Sequence, residues 1–352
     1  MKAVVIGAGL GGLVSAVKLA KDGHTVTLIT FGLGGLQLGQ GTVDVYGYPD
    51  GESLPVTDPF AALAQAPVGH PYAAIGAEQV RAGVDYLVEL LGPELLVGGE
   101  TNALLPTAVG AFRPTLKLQP SMAAGQPKDG AKWVVVGLRQ LKDFNPDLIA
   151  GNVSRAELPG DVRVSARPLW LDFPARPGEV DSNSLAYARA FDKVEYRQQF
   201  AQALKPLLEP GEAVALPAVL GLKDRLVYRD LQEDLGAEVF EIPLPPPSVP
   251  GMRLNEALTA LAKAAGVRVV LGSRVTGFSA EGGKVRSVTA ATAGAPREFA
   301  ADVFVYAPGG FESGAIAMDS HYQVRETLFD LPLTGLDDVE KLILPDYWGG
   351  QP

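Results

Sequence analysis

Gly7, Gly9 and Gly12 stand at the spacing Gly-x-Gly-x-x-Gly, six residues from the first residue of the chain. That spacing suits phosphate binding by backbone groups. The first glycine permits a tight turn off a strand. The second has no side chain, so a phosphate can reach the main chain. The third lets the following helix pack close to the sheet. The free N–H groups and positive dipole end of that helix then hold the anion. A second glycine turn, Ala307-Pro308-Gly309-Gly310, lies far along the chain. Gly41 and Thr42, in a glycine-rich stretch, offer further backbone and hydroxyl donors to a cofactor. Candidate anion binders are Arg113, Arg139, Lys142, Lys223 and Arg253, and His70 is a candidate substrate contact. No acid–base pair is evident, so the catalytic group stays unassigned.

These residues need elements to position them. Residues 1–6 and 24–29 read as strands, and Leu10, Leu13, Val14 and Val17 recur at helical spacing between them. Strand, glycine turn, helix, strand is the opening of a dinucleotide-binding βαβ unit. The acidic residue that would hold an adenosine ribose belongs near position 30. Thr30 stands there instead, so the phosphate site reads as intact and the adenosine site as weakened. Residues 31–50 form a glycine-rich loop, either lying over a cofactor or simply exposed.

Residues 78–91 form a helix with Val80, Val84, Leu87, Val88 and Leu91 on one face. From there to residue 130 only proline-punctuated segments are evident. Residues 133–136 are a strand, with residues 137–144 opening a helix, and 162–165 is a strand. Residues 182–208 form one helix capped by Asp181 or Ser182, with Phe200, Leu204, Leu207 and Leu208 inward. Residues 213–216 and 238–242 are strands around a helix at 225–235. A proline-rich linker at 243–250 leads into a helix over 253–265, begun by Arg253. Residues 267–271 and 275–278 are strands that pair with 284–290, and 299–306 is the last strand, ending at the second glycine turn.

Composition sets bounds. The chain has 352 residues, which suggests two domains, and 47% hydrophobic residues, enough for a large core. The net charge of −10 argues against nucleic acid. With no cysteine, thiolate catalysis and iron–sulfur clusters held by this chain are excluded. Three scattered histidines, 24, 70 and 321, argue against a metal site. There is no run of apolar residues long enough to span a membrane and no signal-peptide layout, so the expected location is cytoplasmic.

The order of segments resembles the two-dinucleotide-binding-domain flavoproteins. In them an N-terminal glycine-rich βαβ is interrupted by a substrate domain. The chain then returns through a helix, a small β-meander and a strand ending in Ala-x-Gly-Gly, beside the first glycine loop. Within that group the chain is similar to the B subunit of the anaerobic, quinone-linked glycerol-3-phosphate dehydrogenase. The likeness rests on His70-Pro71-Tyr72, Arg113-Pro114-Thr115, Val136-Gly137-Leu138 with Asp143-Phe144, Leu216-Pro217-Ala218 with Gly221-Leu222, and Gly309-Gly310-Phe311 with Ser313-Gly314. Most distinctive is the stretch from Leu244 to Leu254, Pro-Pro-Pro-Ser-Val-Pro-Gly-Met-Arg between its ends.

The resemblance implies an α/β fold: a Rossmann-like FAD/NAD(P)-binding domain, made of a parallel sheet plus a small β-meander, with an inserted α/β substrate domain. Residues 1–130 and 251–352 would form the flavin domain and 131–250 the insert. It implies oxidation of sn-glycerol 3-phosphate to dihydroxyacetone phosphate. Electrons would pass to quinone through an FAD-bearing A subunit and an iron–sulfur C subunit. The membrane would be reached only through those partners, at the inner face of the cell membrane. FMN is the implied cofactor, with FAD the alternative; Thr30 agrees, because FMN has no adenosine ribose. The expected cofactor residues are Gly7, Gly9, Gly12, Thr30, Gly41, Thr42, Gly309 and Gly310. Two other readings are a self-contained flavin oxidoreductase of another substrate and a scaffold subunit that has lost its flavin. After Gly310 no further glycine-rich strand–helix unit is evident. Residues 322–333 and 337–344 read as mixed segments before the closing Trp-Gly-Gly-Gln-Pro. The sequence therefore predicts a truncated or shortened chain with one wall of its flavin site missing and a weakly held flavin.

Overall fold

A computed structural model describes residues 1–49 and 54–333. The expectations for 337–344 and for the closing Trp-Gly-Gly-Gln-Pro lie outside the described residues, as does the end of the 31–50 loop at residue 50. The described residues divide into two compact units, one of residues 1–36 and 255–333, the other of 37–49 and 54–254. The first division falls at 36/37 and not at 130/131, so residues 37–130 belong with the segment expected to stand alone as the insert.

In the first unit, β1 (Lys2–Ile6), α1 (Leu10–Lys21) and β2 (Thr25–Thr30) form the expected βαβ. The apolar run of β1 is buried on both faces, as a central parallel strand requires. In the second unit, α2 (Pro59–Leu63), α3 (Pro71–Ile75) and α4 (Ala77–Leu91) come first. A hairpin follows, β3 (Ala103–Pro106) with β4 (Phe112–Thr115). It was not evident in the sequence because both strands are four residues long and each contains a proline. Next come β5 (Ala131–Leu138), α5 (Pro146–Arg155) and β6 (Val164–Leu171). Residues 139–144 turn, and the helix starts only where Asn145 caps it and Pro146 opens it. The helix expected over 182–208 is two helices, α6 (Ser184–Phe191) and α7 (Val194–Leu204), with Asn183 as the cap. Then come β7 (Glu212–Pro217), α8 (Val227–Leu235) and β8 (Val239–Ile242).

Helix α9 (Val249–Ala264) begins four residues before Arg253, within the stretch read as a linker. Proline is tolerated in a first helical turn, which is why Pro250 does not delay it. Beyond it the first unit resumes with β9 (Arg268–Leu271), β10 (Arg274–Glu281), β11 (Lys284–Ala291), β12 (Arg297–Ala300), β13 (Val303–Tyr306), β14 (Ile316–Met318) and β15 (Val324–Glu326). The strand expected over 299–306 is two strands in different sheets, β12 and β13. Likewise β11 pairs with β10 and β12 and not with β9, which joins β2.

Each unit holds a four-stranded parallel sheet. The first unit's order is β13-β1-β2-β9, and the second's is β6-β5-β7-β8. In the first, Val4, Ile6 and Ile29 pack against Val288, Ala290 and Phe299 of the β10-β11-β12 meander. Helix α1 buries Leu13, Ala16 and Val17. The second unit has the larger core, built from Trp133–Val136, Val214–Leu216 and Phe240 with the aromatics Phe144, Tyr187, Phe191 and Phe200.

Candidate functional site

In the first unit, β1 runs into a turn that has no room for side chains. Gly7 has φ +104°, and a Cβ there would lie 2.0 Å from the Ala307 carbonyl oxygen. A Cβ at Gly12 would lie 2.0 Å from the Gly7 carbonyl oxygen. The Gly7 N–H donates to Ile29 O at 2.9 Å, and the Ala307 N–H donates to Ile6 O at 2.9 Å. The two glycine turns expected to meet therefore interlock at the carboxyl ends of β1 and β13, with Gly309 and Gly310 continuing the second. Gly9 differs from its neighbours. Its backbone is extended, at φ −72° and ψ −176°, and nothing stands within 4 Å of where its Cβ would be. It is the N-cap of α1 and gives no side-chain cap, and no acidic residue stands in the first turn. The first N–H groups of a helix have no partner within it. An uncapped helix end behind an open glycine is a cradle for an anion, and a phosphate fits it.

Gly34, in the loop after β2, packs against the same turn and was not among the expected cofactor residues. Its φ is +78°, and a Cβ there would lie 2.3 Å from Ala8 O and 2.7 Å from Gly9 N. The density of glycine after β2 was the only signal. Thr30 ends β2, 7% exposed, and its hydroxyl donates to Gly32 O at 2.6 Å. It braces the loop.

Gly41, Thr42, Arg113 and His70 lie in the second unit. Gly41, at φ +76°, packs where a Cβ would meet Pro250 and Gln119, and its carbonyl accepts from Gln119 Nε2 at 3.1 Å. The Thr42 hydroxyl accepts from Arg113 Nη2 at 2.7 Å, and Arg113 Nη1 donates to Asp44 Oδ2 at 2.6 Å. Arg113 Nε is buried without a partner. His70 Nδ1 accepts the Tyr72 N–H at 3.1 Å, capping α3, so the neutral ring carries its proton on Nε2. That Nε2 is also buried and unpartnered. The His70 ring lies 5.2 Å from that of Tyr72 and 5.6 Å from that of Tyr46. Burial pushes the Tyr72 hydroxyl pKa up, and the Asp44 carboxylate adds to the shift. Two of the three substrate candidates thus share a half-buried cluster that holds two unused N–H donors.

The third does not. Arg253 was expected to reach an anion from the start of its helix. It is 3% exposed, and its guanidinium is fully engaged inside the second unit. Nε donates to Gly221 O, Nη1 to Gln119 Oε1 and Glu241 Oε2, and Nη2 to Leu220 O and Glu241 Oε1, at 2.7–3.1 Å. Glu241 also accepts from Ser121 Oγ and the Leu220 N–H, both at 2.6 Å. Arg253 is a core fastener with no donor left for a ligand. Sequence could not show this, because its partners come from three separate segments, around residues 119, 220–221 and 241. The remaining anion candidates, Arg139, Lys142 and Lys223, also lie in the second unit. There Lys142 Nζ donates to Arg139 O at 2.7 Å, and the Lys223 N–H donates to Asp192 Oδ1 at 3.0 Å. Among the described residues no group of three or more His, Asp or Glu side chains could hold a metal ion. Nor is any helix among them long and apolar enough to cross a membrane.

Residues 2–348 match the FAD binding domain family. Among curated relatives, the probable B subunit of anaerobic glycerol-3-phosphate dehydrogenase from Halobacterium salinarum is 34% identical over 95% of this chain and 80% of its own length. The corresponding B subunit of Yersinia enterocolitica is 27% identical over 95% of this chain and 80% of its own. A solved 3-ketosteroid-Δ4-(5α)-dehydrogenase from Rhodococcus jostii RHA1 is similar over 88% of this chain and 46% of its own, with 14% identity and a TM-score of 0.36. The interlocked glycine turns and the relatives agree: the chain belongs to the FAD binding domain family and, within it, to the B-subunit family of anaerobic glycerol-3-phosphate dehydrogenases.

Proposed function

We propose that this chain is the flavoprotein B subunit of an anaerobic glycerol-3-phosphate dehydrogenase. It would oxidise sn-glycerol 3-phosphate to dihydroxyacetone phosphate as part of a complex. The observation that carries the reading is the open Gly9 between two glycines that tolerate no Cβ, in front of an uncapped helix. The relatives' names supply the substrate and the status of a subunit. A flavin bound there supplies the acceptor for the electron pair leaving the substrate. The chain's own work is to hold the flavin phosphate on the N–H groups following Gly9, with the Ala307–Gly310 turn beside it. Thr30 keeps the loop after β2 folded. In the second unit, the His70 Nε2 and Arg113 Nε donors suit a phosphate or hydroxyl oxygen of the substrate. Gly41 and Thr42 place the Asp44–Arg113 pair. With no cysteine in the chain, onward transfer to quinone needs partners, namely an FAD-bearing A subunit and an iron–sulfur C subunit. That arrangement would put the chain on the cytoplasmic side of the membrane, attached through those partners.

FAD is the cofactor the family match favours. FMN is the second reading, favoured by the missing carboxylate at Thr30. Acid extraction and chromatography of the flavin from the purified full chain separates the two. Stoichiometric flavin that is reduced by glycerol 3-phosphate when the partner subunits are present is the expected result. A chain that purifies colourless and takes up neither flavin would overturn the proposal.

A further inference from the structure

The end of β2 carries an arrangement that phosphate binding does not use. Phe31 follows Thr30 and is 64% exposed. Open as it is to water, the ring has a fixed neighbour. The Arg274 guanidinium carbon lies 4.9 Å from its ring centroid. Arg274 is itself anchored, with Nη1 donating to Ser313 O at 2.8 Å, and it sits tightly enough that a Cβ on Gly314 would lie 3.1 Å from that nitrogen. The backbone beneath is fixed too, because the Ser273 N–H donates to Thr30 O at 3.1 Å. Asn255 Nδ2 also donates to Leu33 O at 2.8 Å. Leu33, two residues further along, and Leu271 are also exposed, at 55% and 60%. Leu271 is the register partner of Thr30. All of these residues lie within the first unit.

The position is informative. In a dinucleotide-binding sheet the carboxyl end of β2 faces the nucleoside beyond the phosphates, and a carboxylate there holds the ribose. Here the carboxylate is replaced by a hydroxyl already committed to Gly32 O. Next to it stand an exposed aromatic, a cation and two exposed leucines. The chain turns back at once: Gly34, three residues after Phe31, already packs against Ala8 and Gly9. FMN ends at its phosphate and has no group to extend past that turn. FAD continues into an adenosine.

From this juxtaposition we propose that Phe31 and Arg274 form a stacking platform for the adenine ring of FAD, replacing the ribose carboxylate as the element that selects dinucleotide over mononucleotide. The proposal rests on the flavin reading above and adds the residues that choose between the flavins. Aromatic and guanidinium faces both stack on a purine, and truncating such an aromatic weakens binding by about ten-fold or more.

The test is titration calorimetry on the full chain freed of flavin, using FAD, FMN and AMP as separate probes. Wild type is expected to bind FAD at least ten-fold more tightly than FMN, and AMP is expected to compete with FAD. Phe31→Ala should weaken FAD and AMP by about ten-fold and leave FMN unchanged. Arg274→Gln should act in the same direction, and Phe31→Trp should retain FAD affinity. Equal losses for FAD and FMN, or no loss for FAD in Phe31→Ala, would overturn the platform while leaving the flavin reading intact. Failure of wild type to bind either flavin would overturn both.

Discussion

The two parallel sheets share a construction and differ in what they do with it. In each, a central strand (β1 or β5) is followed by a helix (α1 or α5) that crosses to a neighbouring parallel strand. Both arrangements create backbone donors at the carboxyl ends of the strands. The second unit supplies its own acceptors. Asn145 Oδ1 caps α5 by accepting the Leu148 N–H at 3.1 Å. Asp192 Oδ1 accepts the N–H groups of Leu222, Lys223 and Asp224, each at 3.0 Å. Glu241 takes the Leu220 N–H and both sides of Arg253. The first unit places a glycine where α5 has its asparagine and adds no carboxylate in the first turn. The topology is therefore common to a site and to a sealed core. What separates them is whether the chain brings its own oxygen to its own N–H groups.

That difference can be broken from either side. The largest effect is expected in the sealed unit. Arg253→Ala leaves Glu241, whose side chain is 0% exposed, as an uncompensated buried charge. Breaking a buried pair by removing one partner costs about 3–5 kcal/mol. Chemical denaturation should show that loss, and a variant as stable as wild type would mean Glu241 finds another partner. The open unit can next be converted into a closed one. Gly9→Asp puts a carboxylate at the N-cap of α1, where the backbone is permissive and the Cβ meets nothing. Its own cap should displace the flavin phosphate, costing two charge-assisted hydrogen bonds, about 3 kcal/mol or about 100-fold in flavin affinity. The melting temperature of the flavin-free chain should hold or rise slightly, since aspartate caps a helix a little better than glycine. Undiminished flavin binding by this variant would separate the turn from the cofactor. The smallest effect is the reverse change. Asn145→Ala removes the cap of α5 and should cost about 1 kcal/mol, read as a shift in denaturation midpoint with flavin affinity unchanged.

Sequence alone determined the βαβ at the N-terminus, because its signals are local. A short apolar run, glycines at fixed offsets and a helical stripe all act within a few residues of one another. It also determined that Ala307–Gly310 ends a strand, and the absence of cysteine limits what this chain can carry unaided. The proline-bearing hairpin at 103–115, the break between α6 and α7, and the division at 36/37 were not legible. Each depends on packing between segments far apart in the chain. The same holds for the two arginines. Arg113 and Arg253 look alike as isolated cations within three residues of a proline. Tertiary structure alone gave one an exposed aspartate and a spare Nε, and sealed the other among Glu241, Gln119 and two backbone carbonyls. The cost of burying a charge is set by the partners that surround it, and those partners come together only when the chain folds.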